Sequence, residues 1–205
     1  MNSPAVNVPI RLVVIGDSWN AGYDDLLKAD TGGWAAMLPK DRFAVKNLSV
    51  SGSTAEQWAN NFGSRLAQAV ALFDECDCYV VSLGGNDAFA YLSENSDGGA
   101  AITQAERERG IASLVKVLQA LRATGKRVLV MQYANPYSGN IATAAGCDVL
   151  NLAIRWAGRT AKVGPSDYIC SSTVLSEQGM MSGVGIHPTP LGYAALSKLI
   201  EGMVS

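Results

Sequence analysis

Charge is scarce in this chain. Of 205 residues only 17% are Asp, Glu, Lys or Arg, and 16 basic against 18 acidic side chains leave a formal charge of −2, with no block of one sign. That excludes the basic footprint by which proteins hold nucleic acid. With 48% apolar residues it also excludes a disordered or coiled-coil chain. Long apolar runs are missing too: the longest uncharged stretch, Val128 to Cys147, is broken by Asn135-Pro136 and Ser138-Gly139-Asn140, so no integral membrane segment is expected. The first ten residues lack a basic patch followed by an apolar core, so no secretory signal is read there. A soluble, cytoplasmic protein is expected, although a leader already removed would leave no trace. Histidine occurs once, and the four cysteines, Cys76, Cys78, Cys147 and Cys170, have no spacing suited to a metal. They read as buried free thiols, with a Cys147–Cys170 disulfide left open. No cofactor is expected. Neither a repeat nor a Pro/Ser-rich linker divides the chain, so residues 1–205 are expected to form one domain.

What is present is an alternation of short β-branched runs with longer helical patterns. Leu12 to Ile15, Ala44 to Val50, Tyr79 to Leu83, Arg127 to Tyr133 and a shorter run at Tyr168 to Cys170 read as strands buried on both faces. Ser53-Thr54-Ala55-Glu56 and Thr103-Gln104-Ala105-Glu106 are capping-box patterns. The first leads into the stripe Trp58, Phe62, Leu66, Val70 and Phe73. The second leads into Ile111, Leu114, Val115, Leu118 and Leu121, a helix face stopped by Gly125. A last helix opens with Thr189 as N-cap and Pro190 at the first helical position, and turns Leu196, Leu199, Ile200 and Met203 inward. Right-handed crossovers of this length predict an α/β fold. The expected architecture is a three-layer α/β/α sandwich on a mostly parallel sheet of about five strands, in the flavodoxin-like order 2-1-3-4-5.

In such sheets ligands bind beyond the carboxyl ends of the strands. There the chain places Gly16-Asp17-Ser18-Trp19, Ser51-Gly52-Ser53 and Gly84-Gly85-Asn86-Asp87. Together these turns offer a hydroxyl, backbone amides and a carboxamide, which are the parts of an acyl-transfer site. A serine hydroxyl needs a base to take its proton, and His187, just before the last helix, is the one histidine available.

These residues carry a resemblance. Val14-Ile15-Gly16-Asp17-Ser18, Asn47 to Gly52, Gly84-Gly85-Asn86-Asp87 and His187-Pro188-Thr189-Pro190-Leu191-Gly192-Tyr193 resemble, in order, the four blocks of the SGNH (GDSL) hydrolases, a family of esterases and lipases. The resemblance implies a metal-independent ester hydrolase working through an acyl-serine. Ser18 would be the nucleophile and His187 the base, with the Ser18 and Gly52 amides and the Asn86 side chain holding the oxyanion. A small-molecule or glycan ester is the implied partner. Short-acyl or acetyl esters are favoured over the longer chains of lysophospholipids or thioesters, since no long amphipathic lid helix is read.

One position departs from the family. The histidine is commonly preceded, three residues earlier, by an aspartate, and here that residue is Val184. Three explanations stand open: a backbone carbonyl completing a Ser-His dyad, which is favoured; a carboxylate from elsewhere, Glu177 being nearest before His187; or a silent ligand-binding module. Asp17 and Asp87 read as caps of their own turns. Trp19, Tyr23, Phe89 and Tyr137, together with Tyr91, Tyr133 and Asn135, are candidates for the pocket wall.

Overall fold

The computed structural model describes residues 8–87, 104–135, 141–183 and 185–205. Its five-stranded sheet is parallel throughout. The strands are β1 (Ile10–Gly16), β4 (Phe43–Asn47), β5 (Cys78–Ser82), β6 (Arg127–Gln132) and β7 (Tyr168–Cys170), ordered β4-β1-β5-β6-β7. In chain order this is 2-1-3-4-5, as the alternation predicts. Val13, Val14 and Ile15 of β1, Tyr79, Val80 and Val81 of β5 and Val128 to Met131 of β6 are all buried. A strand covered on both faces must be apolar on both, which is why these runs do not alternate. The second strand ends earlier than its sequence suggests, at Asn47, yet the amides of Leu48 and Val50 still bond to the carbonyls of Val14 and Gly16.

Helices α1 (Ser18–Ala21), α2 (Gly33–Ala36), α3 (Ala55–Ala59), α4 (Arg65–Ala71), α5 (Gln104–Arg122), α6 (Ile141–Thr160), α7 (Ser172–Leu175) and α8 (Pro190–Val204) fill the connections. α5 packs against α3, α4 and α6, and α8 against α2 and α7. The right-handed crossovers place these two groups on opposite faces of the sheet. α8 begins as expected: the Thr189 hydroxyl accepts from Gly192 N at 3.2 Å, and Pro190 follows.

Two expectations are corrected. The capping box of α3 is shifted by one residue, with Thr54 as cap and Gln57 closing it. Ser53 turns into the core instead, donating to the Gly16 carbonyl (2.9 Å) and accepting from Trp58 Nε1 (2.9 Å). The stripe from Trp58 to Phe73 is not one helix: a turn containing Gly63 separates α3 from α4, and Phe73 is exposed. All four cysteines are free, with Cys76 and Cys78 buried and Cys147 and Cys170 half-buried. The Thr103 cap lies outside the described residues.

A two-stranded hairpin that the sequence reading missed follows α1. β2 (Tyr23–Asp24) pairs antiparallel with β3 (Ala29–Asp30). Its turn is shaped by Asp24, whose Oδ1 accepts from Leu26 N (2.8 Å) and Leu27 N (2.9 Å), an Asx turn. No described helix is long and apolar enough to cross a membrane.

Candidate active site

Because β4, β1 and β5 are neighbours, the three turns that follow them lie side by side. Gly16 closes β1 at φ 143°, and a Cβ there would fall 2.2 Å from the Ser82 carbonyl, so only glycine allows the chain to bend toward the nucleophile position. Asp17 caps α1 by accepting from Trp19 N at 3.0 Å, and Ser18 opens the helix. Among the described residues, neither Ser18 N nor Gly52 N meets an acceptor. Asn86 Nδ2 donates to the Ser53 carbonyl at 3.0 Å, fixing the carboxamide across from Gly52. One of its two N–H groups is committed there, and among the described residues the other meets no acceptor.

His187 arrives from the opposite end of the sequence. Its Nε2 lies 2.8 Å from Ser18 Oγ, and its Nδ1 lies 2.8 Å from Asp25 Oδ1. The other oxygen of Asp25 accepts from the His187 backbone amide at 3.1 Å. Ser18, Asp25 and His187 are 7, 8 and 8% exposed, so the relay is shielded from bulk water without being sealed. Burial pushes the Asp25 carboxyl up. Hydrogen bonds from the His187 ring and amide, the nearby imidazole charge and the Ser182 hydroxyl outweigh it, and the net shift is downward. Asp25 is therefore the ionised acceptor at neutral pH, and Nδ1 carries the hydrogen, leaving Nε2 free to accept from Ser18.

This corrects the favoured explanation for Val184. The imidazole is held by a carboxylate, and it comes neither from the backbone nor from Glu177 but from the tip of the β2–β3 hairpin. Val184 itself lies outside the described residues. The neighbouring Gly185 shows why the loop admits this partner: a Cβ on Gly185 would lie 2.1 Å from Asp25 Cγ, in the space the carboxylate fills. Nothing in the linear spacing marks Asp25, because the hairpin lacks β-branched residues and an Asn-Gly or Asp-Gly turn. The one available signal was the pairing of a missing acid at position 184 with a glycine at 185.

The other candidates separate clearly. Tyr23 is half-buried, with its ring centroid 5.0 Å from that of the imidazole, and its carbonyl accepts from Tyr193 Oη at 3.0 Å. Trp19 does not line an open wall; it is buried in the core, edge-on to Tyr133 at 5.0 Å. Phe89, Tyr91 and Tyr137 lie outside the described residues. Asp87 is structural, as read, but caps a different element: its oxygens accept from Ala55 N (2.8 Å) and Glu56 N (3.2 Å) at the start of α3. Tyr133 is buried on Asp17, and Asn135 is half-buried. Among the described residues no cluster of His, Cys, Asp and Glu is arranged to hold a metal ion.

A shielded alcohol, imidazole and carboxylate in line, beside a turn bearing a free amide and a carboxamide, can carry out acyl transfer. Comparison with known proteins points the same way. Solved structures of similar fold include LAE5, an alpha/beta hydrolase enzyme from the metagenome of Lake Arreo, Spain, at 17% identity, with 98% of each chain covered and a TM-score of 0.69. TesA is similar at 24% identity, covering 95% of this chain and 98% of that one at a TM-score of 0.65. Axe2, an acetylxylan esterase from Geobacillus stearothermophilus, is similar at 14% identity, covering 98% and 96% at a TM-score of 0.68. At these identities the likeness is one of fold. No curated protein sequence gives a significant match. The model of the GDSL-like lipase/acylhydrolase family matches residues 14–195, spanning the Ser18 turn, the Asn86 turn and His187, and the chain belongs to that family.

Proposed function

We propose that the protein hydrolyses carboxylic esters of short acyl groups, acetyl esters of carbohydrates among them, through an acyl-serine formed on Ser18. The observation that carries this reading is the relay Ser18 Oγ to His187 Nε2 to Asp25 Oδ1, two contacts of 2.8 Å each. In the first half-reaction Ser18 Oγ attacks the ester carbonyl as Nε2 takes its proton. The carbonyl oxygen becomes an oxyanion facing the Ser18 and Gly52 amides and the free N–H of Asn86. As the tetrahedral species collapses, the C–O bond to the alcohol breaks and Nε2–H protonates the departing oxygen. Water, deprotonated by the same Nε2, then attacks the acyl-serine; the bond from the acyl carbon to Ser18 Oγ breaks, Nε2–H returns its proton to Oγ, and the acid is released. Asp25 holds the Nδ1 hydrogen throughout and stabilises the imidazolium.

The leaving oxygen must reach Nε2, so the residue bordering His187 flanks the alcohol side. That residue is Tyr23, whose ring offers an aromatic wall there. The acetylxylan esterase fold of Axe2 supports a carbohydrate ester as substrate. A second reading, a longer acyl chain as in lysophospholipids or thioesters, is favoured by Leu26 and Leu27, which are 79 and 69% exposed on the hairpin that carries Asp25. The silent-module reading loses its motive, because the acceptor missing at Val184 is supplied by Asp25.

The test is hydrolysis of p-nitrophenyl esters from acetate to palmitate. Activity falling with chain length supports the short-acyl reading, and a rise toward long chains supports the second. Ser18→Ala and His187→Ala should abolish turnover, and a fluorophosphonate probe should label Ser18 only while His187 is present. Full activity in either alanine variant would overturn the assignment.

A further inference from the structure

Tyr133 stands at the exit of β6, two strands over from the Ser18 turn across β5. Its phenol is nonetheless held from three sides. The hydroxyl donates to Asp17 Oδ2, and the ring lies close against the Gly85 backbone. The ring packs edge-on against Trp19. The backbone of Tyr133 is clamped in turn by Asn151 of α6, whose Oδ1 accepts from Tyr133 N (2.9 Å) and whose Nδ2 donates to the Tyr133 carbonyl (2.8 Å). The phenol is thus lodged between the residue before Ser18 and the residue before Asn86. Gly85 is the close approach that permits this, since a Cβ there would lie 3.1 Å from Tyr133 Cζ.

We propose that Tyr133 is a positioning residue for the reaction: bonded to Asp17 and packed against Gly85, it sets the distance between the Ser18 nucleophile and the Asn86 oxyanion donor. The inference rests on the roles given above to Ser18 and Asn86. Its physical basis is that donors aimed at an oxyanion act only over a narrow range of distance, so a turn displaced by a fraction of an ångström loses transition-state stabilisation while substrate still binds.

The strut is also sensitive to acid. Burial raises the Asp17 carboxyl to about 6, against hydrogen bonds from Tyr133, Ser82 and Trp19 N and the attraction of the His187 charge, which pull it down. Of the other ionisable groups, Tyr193 lies within electrostatic reach of Asp17, and Asp87 within that of Tyr133. The ionised carboxylate accepts from three donors at once; a proton on it competes with the Tyr133 hydroxyl for the same oxygen. The clasp therefore weakens as pH falls through this range, and removing the Tyr133 hydroxyl moves the ionisation of Asp17 to higher pH.

The experiment is Tyr133→Phe, which keeps the ring and deletes the hydroxyl, assayed on p-nitrophenyl acetate across pH. The expected result is a kcat lower by about 10- to 100-fold, a KM within about twofold, and an acid limb displaced upward. A merely structural role would lower thermal stability and leave the kcat-to-KM split and the acid limb in place, which would overturn the proposal. Asp17→Asn supplies a second route should Tyr133→Phe fold poorly: if Tyr133 acts through Asp17, adding Tyr133→Phe to Asp17→Asn costs little more, whereas effects that multiply in full overturn the coupling. The unsubstituted chain is assayed first. Absence of turnover there sinks the reading of Ser18 and this inference with it, while turnover with Tyr133→Phe unchanged sinks this inference alone.

Discussion

Alanine at Gly185 tests the hairpin-borne acid without touching any polar group. The added Cβ would lie 2.1 Å from Asp25 Cγ and Oδ2 and 2.3 Å from Oδ1. Carbon atoms pack comfortably only at about 3.5–4.0 Å, so the carboxylate must leave its place. What is lost is the 2.8 Å bond to Nδ1 and the 3.1 Å bond to the His187 amide. A hydrogen bond to a charged group contributes about 1.5–3 kcal/mol, and at 1.36 kcal/mol per tenfold the expected fall in kcat is about 10- to 150-fold. KM should stay close to its original value, because no group on the substrate side is altered. Steady-state hydrolysis of p-nitrophenyl acetate measures the fall, and nitrogen NMR of the imidazole reports the lost contact. A Gly185→Ala protein with undiminished kcat and an unchanged imidazole spectrum would show that Asp25 does not hold the base in place.

Three further outcomes are expected. Asp25→Asn, which offers Nδ1 an amide in place of a carboxylate, should cut kcat by about 10⁴-fold, as the equivalent change does in the serine-protease template; single-turnover acylation rates would show it. The same variant bears on acid stability. The Asp25 carboxyl lies below its ordinary range in the fold, so its contribution is present above the unfolded-state value and is lost as pH falls through the folded one. Thermal melts should therefore steepen less on acidification for Asp25→Asn than for the unsubstituted chain. Asn86→Ala should lower kcat by about 10²–10³ with little change in KM, the usual cost of one oxyanion donor.

Much of the fold was legible because the strands are buried on both faces and so appear as unbroken apolar runs at Leu12, Tyr79 and Arg127 to Tyr133. The 2-1-3-4-5 order is the one that sets the turns bearing Ser18, Gly52 and Asn86 side by side. Helix boundaries were less legible where two hydroxyls compete: Ser53 and Thr54 both suit an N-cap, and the choice fell to Trp58, whose indole N–H needs the Ser53 oxygen in the core. Within the site, Ser18, His187, Gly52 and Asn86 announced themselves through the turns that bear them. Asp25 did not. Its partner is 162 residues away, and its hairpin is a two-residue ribbon held by an Asx turn and by the bond from the Ser51 hydroxyl to Asp30 rather than by any local propensity. Trp19 misled for a related reason: next to a reactive serine, an aromatic suggests a wall, but the helix it enters turns it toward Tyr133.

The alcohol and the imidazole that face each other are separated by 169 residues of sequence. Ribosomes add about 5–20 residues per second, so about 8–34 s pass between the emergence of one partner and of the other. Throughout that interval a nascent chain carries a serine with nothing to remove its proton, and esters in its surroundings are safe from it. Turnover during translation thus reports that synthesis has passed His187. Cutting the polypeptide before His187 yields two fragments, each inert by itself, whose reunion would be reported by a colour change.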